Sequence, residues 1–148
     1  MNTDGILKGE GADCRQLILR NDIEEIARLS AFLNEIAEEL NLSMADSFNI
    51  NLALEEAVTN VIMYAYPKEE EHDFAVNVQH VDNQLIFNII DSGKEFDPTV
   101  QPEVDVTLSL EERPIGGLGI FLIRKIMKTV EYHRIDGKNV FTMVKEIS

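Results

Sequence analysis

Cysteine is almost missing from this sequence. Cys14 stands alone, which excludes an internal disulfide framework and a cysteine-based zinc site. Long apolar runs are missing too, and no stretch approaches the length of a membrane span. The polar start Met1-Asn2-Thr3-Asp4-Gly5 lacks a signal-peptide core, so the expectation is a cytoplasmic protein with no membrane contact. Cations are scarce: 13 Lys and Arg stand against 27 Asp and Glu, a net charge of −14. Such a field repels a nucleic-acid backbone and argues against DNA binding by bulk charge, while it favours a partner with a basic surface. Histidines at ligand spacing are lacking; His72, His80 and His133 read as turn or sheet residues. No internal repeat or interdomain linker is visible. What remains is 45% hydrophobic, the composition of a globular chain, and 148 residues fit one domain with a substantial core.

Residues 1–15 have no periodicity and read as a tail or lead-in strand ahead of a single domain over residues 16–148. Residues 16–20 are a short apolar run, read as strand. Asn21, with Glu24 three residues on, has the spacing of a capping box, and Ile26, Leu29, Leu33, Ile36 and Leu40 then recur at helical intervals. Asn41-Leu42-Ser43 breaks that helix. Ser43 with Asp46 caps the next, whose apolar side is Ile50, Leu54, Val58, Val61 and Ala65, and Pro67 stops it near Tyr66. The period then changes to two. Phe74, Val76 and Val78 alternate with Ala75, Asn77 and Gln79; Asp82-Asn83 fits a hairpin turn; residues 85–90 are apolar on both faces, as in a central strand. Residues 94–114 hold three of the four prolines and no regular pattern, and so long a loop is more often a lid than filler. A helix follows the glycines at 116–119, and two last runs flank a turn at residues 136–139. This order predicts an α+β sandwich with helices on one face of a mixed, mostly antiparallel sheet.

Three motifs carry chemistry. Glu56 and Asn60 are i and i+4 on the second helix, so they project from one face about 5.4 Å apart along the axis, beside the small residues Ala53 and Ala57. A carboxylate and a carboxamide there suit a base and a neutral oxygen ligand; the plainer alternative is a surface pair. Asp91-Ser92-Gly93 ends the central strand. The carboxylate can accept from an exocyclic amine and Gly93 permits close approach to a ring, although both are also ordinary turn residues. Gly116-Gly117-Leu118-Gly119 at a helix start offers free amides to an anion, or alternatively a hinge. It is neither a Walker loop nor a dinucleotide fingerprint, because no Gly-Lys-Ser/Thr follows and Leu122 occupies the third glycine position.

In this order, Glu-Glu-Ala-Val-Thr-Asn, Asp-Ser-Gly-Lys-Glu-Phe-Asp-Pro and Gly-Gly-Leu-Gly-Ile-Phe-Leu-Ile resemble the N, G1 and G2 boxes of the GHKL ATP-binding fold. Within that superfamily the chain is most similar to small bacterial anti-sigma-factor serine/threonine kinases, over roughly residues 16–145. The resemblance implies ATP and Mg²⁺ as cofactors, with Asn60 as the metal ligand and Glu56 as the general base. It implies Asp91, Gly93 and Thr142 at the adenine, and Gly116, Gly117, Leu118, Gly119 and Ile120 at the phosphates. Residues 94–114 would be the ATP lid, and Arg113 a candidate for stabilising γ-phosphate charge. As partners it implies an anti-sigma antagonist, phosphorylated on serine or threonine, a sigma factor held in exchange, and a second copy of the chain in a homodimer. Two other functions fit the same boxes: an ATP-binding sequestration module without kinase activity, and an ATPase in which Glu56 activates water. The ATPases of this fold carry a large further domain and sensor histidine kinases a phosphoacceptor helix; neither pattern is present in these 148 residues.

Overall fold

The computed structural model of the protein describes residues 13–100 and 117–147. In chain order its elements are β1 (Asp13–Arg20), α1 (Ile26–Glu39), α2 (Met44–Tyr64), β2 (Asp73–Val81), β3 (Gln84–Asp91), α3 (Gly117–Ile126), β4 (Thr129–Ile135) and β5 (Lys138–Glu146). Single 3-10 turns occur at Ile23–Glu25 and Pro98–Val100. The strands form one sheet in the order β1-β2-β3-β5-β4, and every pairing among the described strands is antiparallel.

Period-two patterning decides which face of the sheet is covered. Along β3, Leu85, Phe87, Ile89 and Asp91 are buried, and the residues between them are half-buried. The matching positions are Phe74, Val76 and Val78 on β2, and Phe141 and Met143 on β5. They meet Leu29 and Leu33 of α1, Leu54 and Val58 of α2 and Ile123 of α3 in one core cluster. Each such Leu, Val or Phe contributes about 1.5–3 kcal/mol by leaving water. The expected α+β sandwich is therefore the observed one, with the apolar β3 at its centre.

Local signals mostly land where the residues demand. Ser43 accepts a hydrogen bond from the Asp46 amide (3.0 Å) and starts α2. Asn41, at φ 54°, turns the chain out of α1. Asp136 and Gly137 adopt φ of 50° and 77°, the left-handed pair that a two-residue hairpin requires. One expectation fails. The first helix is entered through Asp22, whose side chain accepts from the Glu24 amide, and not through Asn21. Asn21 instead ties β1 to the α2–β2 turn. Its Nδ2 donates to the Glu70 carbonyl (2.8 Å), and its Oδ1 accepts from the His72 amide (2.9 Å). Side-chain spacing could not tell a cap from a cross-link one residue away.

Candidate nucleotide site

The site lies where α2, the end of β3 and the start of β5 converge. Asp91 continues the core-facing alternation of β3, so a carboxylate stands at 5% exposure where an apolar residue would otherwise fall. Its Oδ1 accepts from the Gly93 amide (2.8 Å) and from Asn139 Nδ2 (2.9 Å). Among the described residues, no hydrogen bond engages its second oxygen. Asp91 and Asn60 line a common cavity, closed by Ala57, Phe96, Tyr132 and Phe141. Its free volume is about 30 Å³, room for about one water.

Gly93 is fixed by contact. A Cβ there would lie 2.2 Å from the Ala65 carbonyl oxygen, and the next amide, Lys94, donates to that oxygen at 3.0 Å. The turn after β3 is thereby docked on the C-terminal end of α2, two residues behind Asp91. Tyr66 holds it from the other side: the hydroxyl accepts from the Ser92 amide (2.9 Å) while the ring stacks on His72 at 4.3 Å. The Tyr66 hydroxyl titrates above its ordinary range, chiefly through burial and further through the charges of Asp91 and Asp73, against a lowering by the Ser92 bond.

Glu56, one turn before Asn60 on α2, is not among the residues lining this cavity and lies against α3. A Cβ added to Gly119 would meet Glu56 Oε1 at 2.8 Å, so glycine in the first turn of α3 is what admits the carboxylate. Glu55, its neighbour, turns into a separate groove with Leu52 and Phe48. Ala53 and Ala57 divide as well: Ala57 lines the cavity, whereas Ala53, fully buried, gives its space to core packing. Gly117 opens α3, and Leu118 follows it. Ile120 sends its side chain into the core cluster, which leaves only its first-turn backbone for a ligand. Arg113 and Gly116, with most of the expected lid, lie outside the described residues.

Thr142 does not belong to the site. It pairs with Asn88 in the β3–β5 register and donates to Asn88 Oδ1 (2.6 Å) on the sheet face away from the helices. The residue opposite Asp91 is Asn139, which sequence reasoning missed. It is 5% exposed and fully engaged: Nδ2 reaches Asp91 and the Lys94 carbonyl (2.8 Å), and Oδ1 accepts from Tyr132 (2.5 Å) and Arg134 (3.1 Å). The signal was available in the alternation of the last strand. Bulky Phe141 and Met143 claim the core side, so Asn139 shares it and Thr142 cannot. Tyr132, half-buried beside Asn139, also titrates above its ordinary range, mainly through burial. One further group is unassigned: the Tyr64 hydroxyl, a turn beyond Asn60, is buried without a hydrogen-bond partner among the described residues, and its ring is 6.3 Å from Phe96.

A two-layer sandwich with a carboxylate at the end of its central strand and a glycine-rich helix entrance is an ATPase-domain arrangement. Residues 19–145 match the Histidine kinase-like ATPase domain family, and the chain belongs to it. Within that family it stands in the RsbW branch of serine-protein kinases. It is 31% identical over 137 residues to serine-protein kinase RsbW of Listeria monocytogenes, covering 90% of this chain and 85% of the relative. It is 27% identical to serine/threonine-protein kinase BtrW of Bordetella bronchiseptica, covering 76% and 79%. The fold also superposes with TM-score 0.66 on the crystal structure of RsbU and RsbW domains of a Mycobacterium tuberculosis protein. That match has 15% identity and covers 90% of this chain and 32% of that one.

Proposed function

We propose that the protein is an ATP-dependent serine/threonine kinase that acts as an anti-sigma factor. The observation that carries this reading is the cavity shared by Asn60 of α2 and Asp91 of the β3 end, with Glu56 one helical turn before Asn60 and against Gly119 of α3. Among the described residues Asp91 keeps one carboxylate oxygen without a hydrogen bond, open to an exocyclic amine, and Asn139 keeps that carboxylate oriented. The buried Tyr64 hydroxyl, without a hydrogen-bond partner among the described residues, lies on a ring 6.3 Å from Phe96 of the cavity wall. The described residues contain no cluster of three or more His, Cys, Asp or Glu that could hold a metal. A single amide oxygen, Asn60, suits Mg²⁺, which arrives with phosphates and keeps its waters. Bound Mg-ATP supplies the transferable phosphoryl group.

The remaining chemistry belongs to the chain. Glu56 takes the proton from the serine or threonine hydroxyl of the protein substrate, a contribution of about 10²–10⁴ in rate. The first-turn amides of α3, with Gly117 and Gly119, hold the phosphates, and Arg113 is the cation that the resemblance implies for the γ-phosphate. Phe96 and Pro98 line the cavity and withdraw when adenine enters, in keeping with residues 94–114 as the lid that the resemblance implies. The substrate is an anti-sigma antagonist, the protein exchanged for it is a sigma factor, and the working unit is a homodimer. The acidity of the chain favours basic partners.

The test is Glu56→Gln assayed in two ways. Transfer of labelled phosphate to the antagonist should fall about 10²-fold or more, while binding of a fluorescent ATP analogue stays. Transfer at the wild-type rate would remove Glu56 as the base. Undetectable transfer by the wild type, with intact ATP binding and sigma-factor capture, would favour the sequestration module instead.

A further inference from the structure

Helix α2 is apolar on two sides. One stripe, including Ile50, Leu54 and Val58, is buried in the core. The other is Met44, Phe48 and Leu52, spaced i, i+4, i+8; Met44 is 90% exposed and Phe48 67%. The fold gains nothing by holding a phenylalanine two-thirds in water, and two exposed apolar side chains a turn apart, continued by the half-buried Leu52, suit an interaction surface. The stripe forms one wall of a groove of about 450 Å³ whose other wall is Ser30 and Asn34 of α1. Along the groove Asn51 ties the two walls together. Ser30 donates to Asn51 Oδ1 (3.0 Å), and Asn51 Nδ2 donates to Asn34 Oδ1 (3.1 Å) and the Ser47 carbonyl (3.0 Å). Such a surface can be covered at little desolvation cost. Among the described residues, Glu55 is the one ionisable side chain lining it. The groove shares no lining residue with the Asp91 cavity.

We propose that this groove docks an amphipathic helix of a partner protein, whose apolar face covers Met44, Phe48 and Leu52 and whose Lys or Arg pairs with Glu55. The length fits: from residue 44 to 55 the wall runs about 16 Å, or three helical turns. The side chains fit, since exposed Met and Phe between two helices form an adaptable helix-in-groove surface. The charge selects the partner. Among the described residues the lining carries a carboxylate and no cation, on a chain of net charge −14. A second copy would bring another −14 and a second Glu55, whereas a basic helix is attracted. The proposal is independent of the nucleotide reading.

The probe is a fluorescein-labelled peptide of about 18 residues, ~27 Å as a helix, with Leu at i, i+3, i+4 and i+7 and flanking Lys. It is compared with a version in which the Lys are Glu, both titrated into the full-length chain. The Lys peptide should bind saturably and shift amide resonances of Ser30, Asn34, Phe48 and Leu52. Phe48→Ser should weaken binding about tenfold or more, and Glu55→Lys, which leaves the chain acidic, should narrow the preference for the Lys peptide. Phe48 and Met44 are exposed, so Phe48→Ser and Met44→Ser should keep the wild-type melting temperature, and either can serve if the other fails to fold. The proposal is overturned by equal binding of both peptides, by affinity unchanged in Phe48→Ser and Met44→Ser, or by amide shifts elsewhere. It is also overturned if the wild type self-associates in sedimentation and Phe48→Ser abolishes it, because the face would then pair copies of the chain.

Discussion

At the scale of single residues, the site rests on tight contacts behind the groups that meet a ligand. Gly93 could carry no side chain without displacing the Ala65 carbonyl, and Gly119 none without displacing Glu56. The resemblance implies both as nucleotide contacts; the structure gives each a packing reason, one against α2's end and one against the carboxylate. Tyr66 is one of two tyrosines at this corner, with Tyr132, whose titration is raised. The folded value of Tyr66 is raised, so the neutral phenol is favoured in the native state. The associated stability is fully present below the unfolded value near 10 and is lost as pH rises through the folded value. Urea unfolding at pH 8 and pH 11 should therefore show a stability loss at the higher pH that shrinks in Tyr66→Phe. At pH 8 that variant should itself cost about 1 kcal/mol for the bond to Ser92. An unchanged alkaline loss would assign the titration to other groups.

At the scale of elements, periodicity is legible in the sequence and facing only partly so. The apolar character of residues 85–90 on both faces identifies β3 as central, where one face is buried in the core and the other half-buried. Alternation along the last strand likewise puts Asn139 on the core side and Thr142 off it, against the expectation that Thr142 meets the adenine. Helix entrances show how narrow the margin is. Ser43 caps α2 as its spacing predicts, since its hydroxyl reaches the Asp46 amide and no strand competes for it. Asn21 does not cap α1, because the α2–β2 turn, remote in sequence, captures its amide side chain. Ser43→Ala should destabilise the fold by about 1 kcal/mol in urea titration, whereas Ser43→Asp should be close to neutral. Equal losses in both would show that the cap is not what sets the start of α2.

At the scale of the whole molecule, the charge imbalance is the dominant electrostatic fact. The exposed pairs, such as Arg20 with Glu71 (3.4 Å), contribute little and are screened easily. Self-repulsion from a net −14 therefore outweighs them. Raising NaCl from 0.01 M to 1 M shortens the screening length from about 30 Å to about 3 Å. The melting temperature should rise by about 3 °C or more, on the order of 1 kcal/mol for a chain of this size. A fall would mean that favourable pairs outweigh the repulsion. By itself, the sequence determined the element order, the central strand, the acidic field and the three boxes, because spacing and composition act locally. Only the tertiary structure decided that Glu56 meets Gly119 while Glu55 enters the outer groove, and that Asn139 backs Asp91. The physical reason is that a helix fixes how far apart its side chains lie, whereas only its packing against α3 and the sheet fixes what each of them faces.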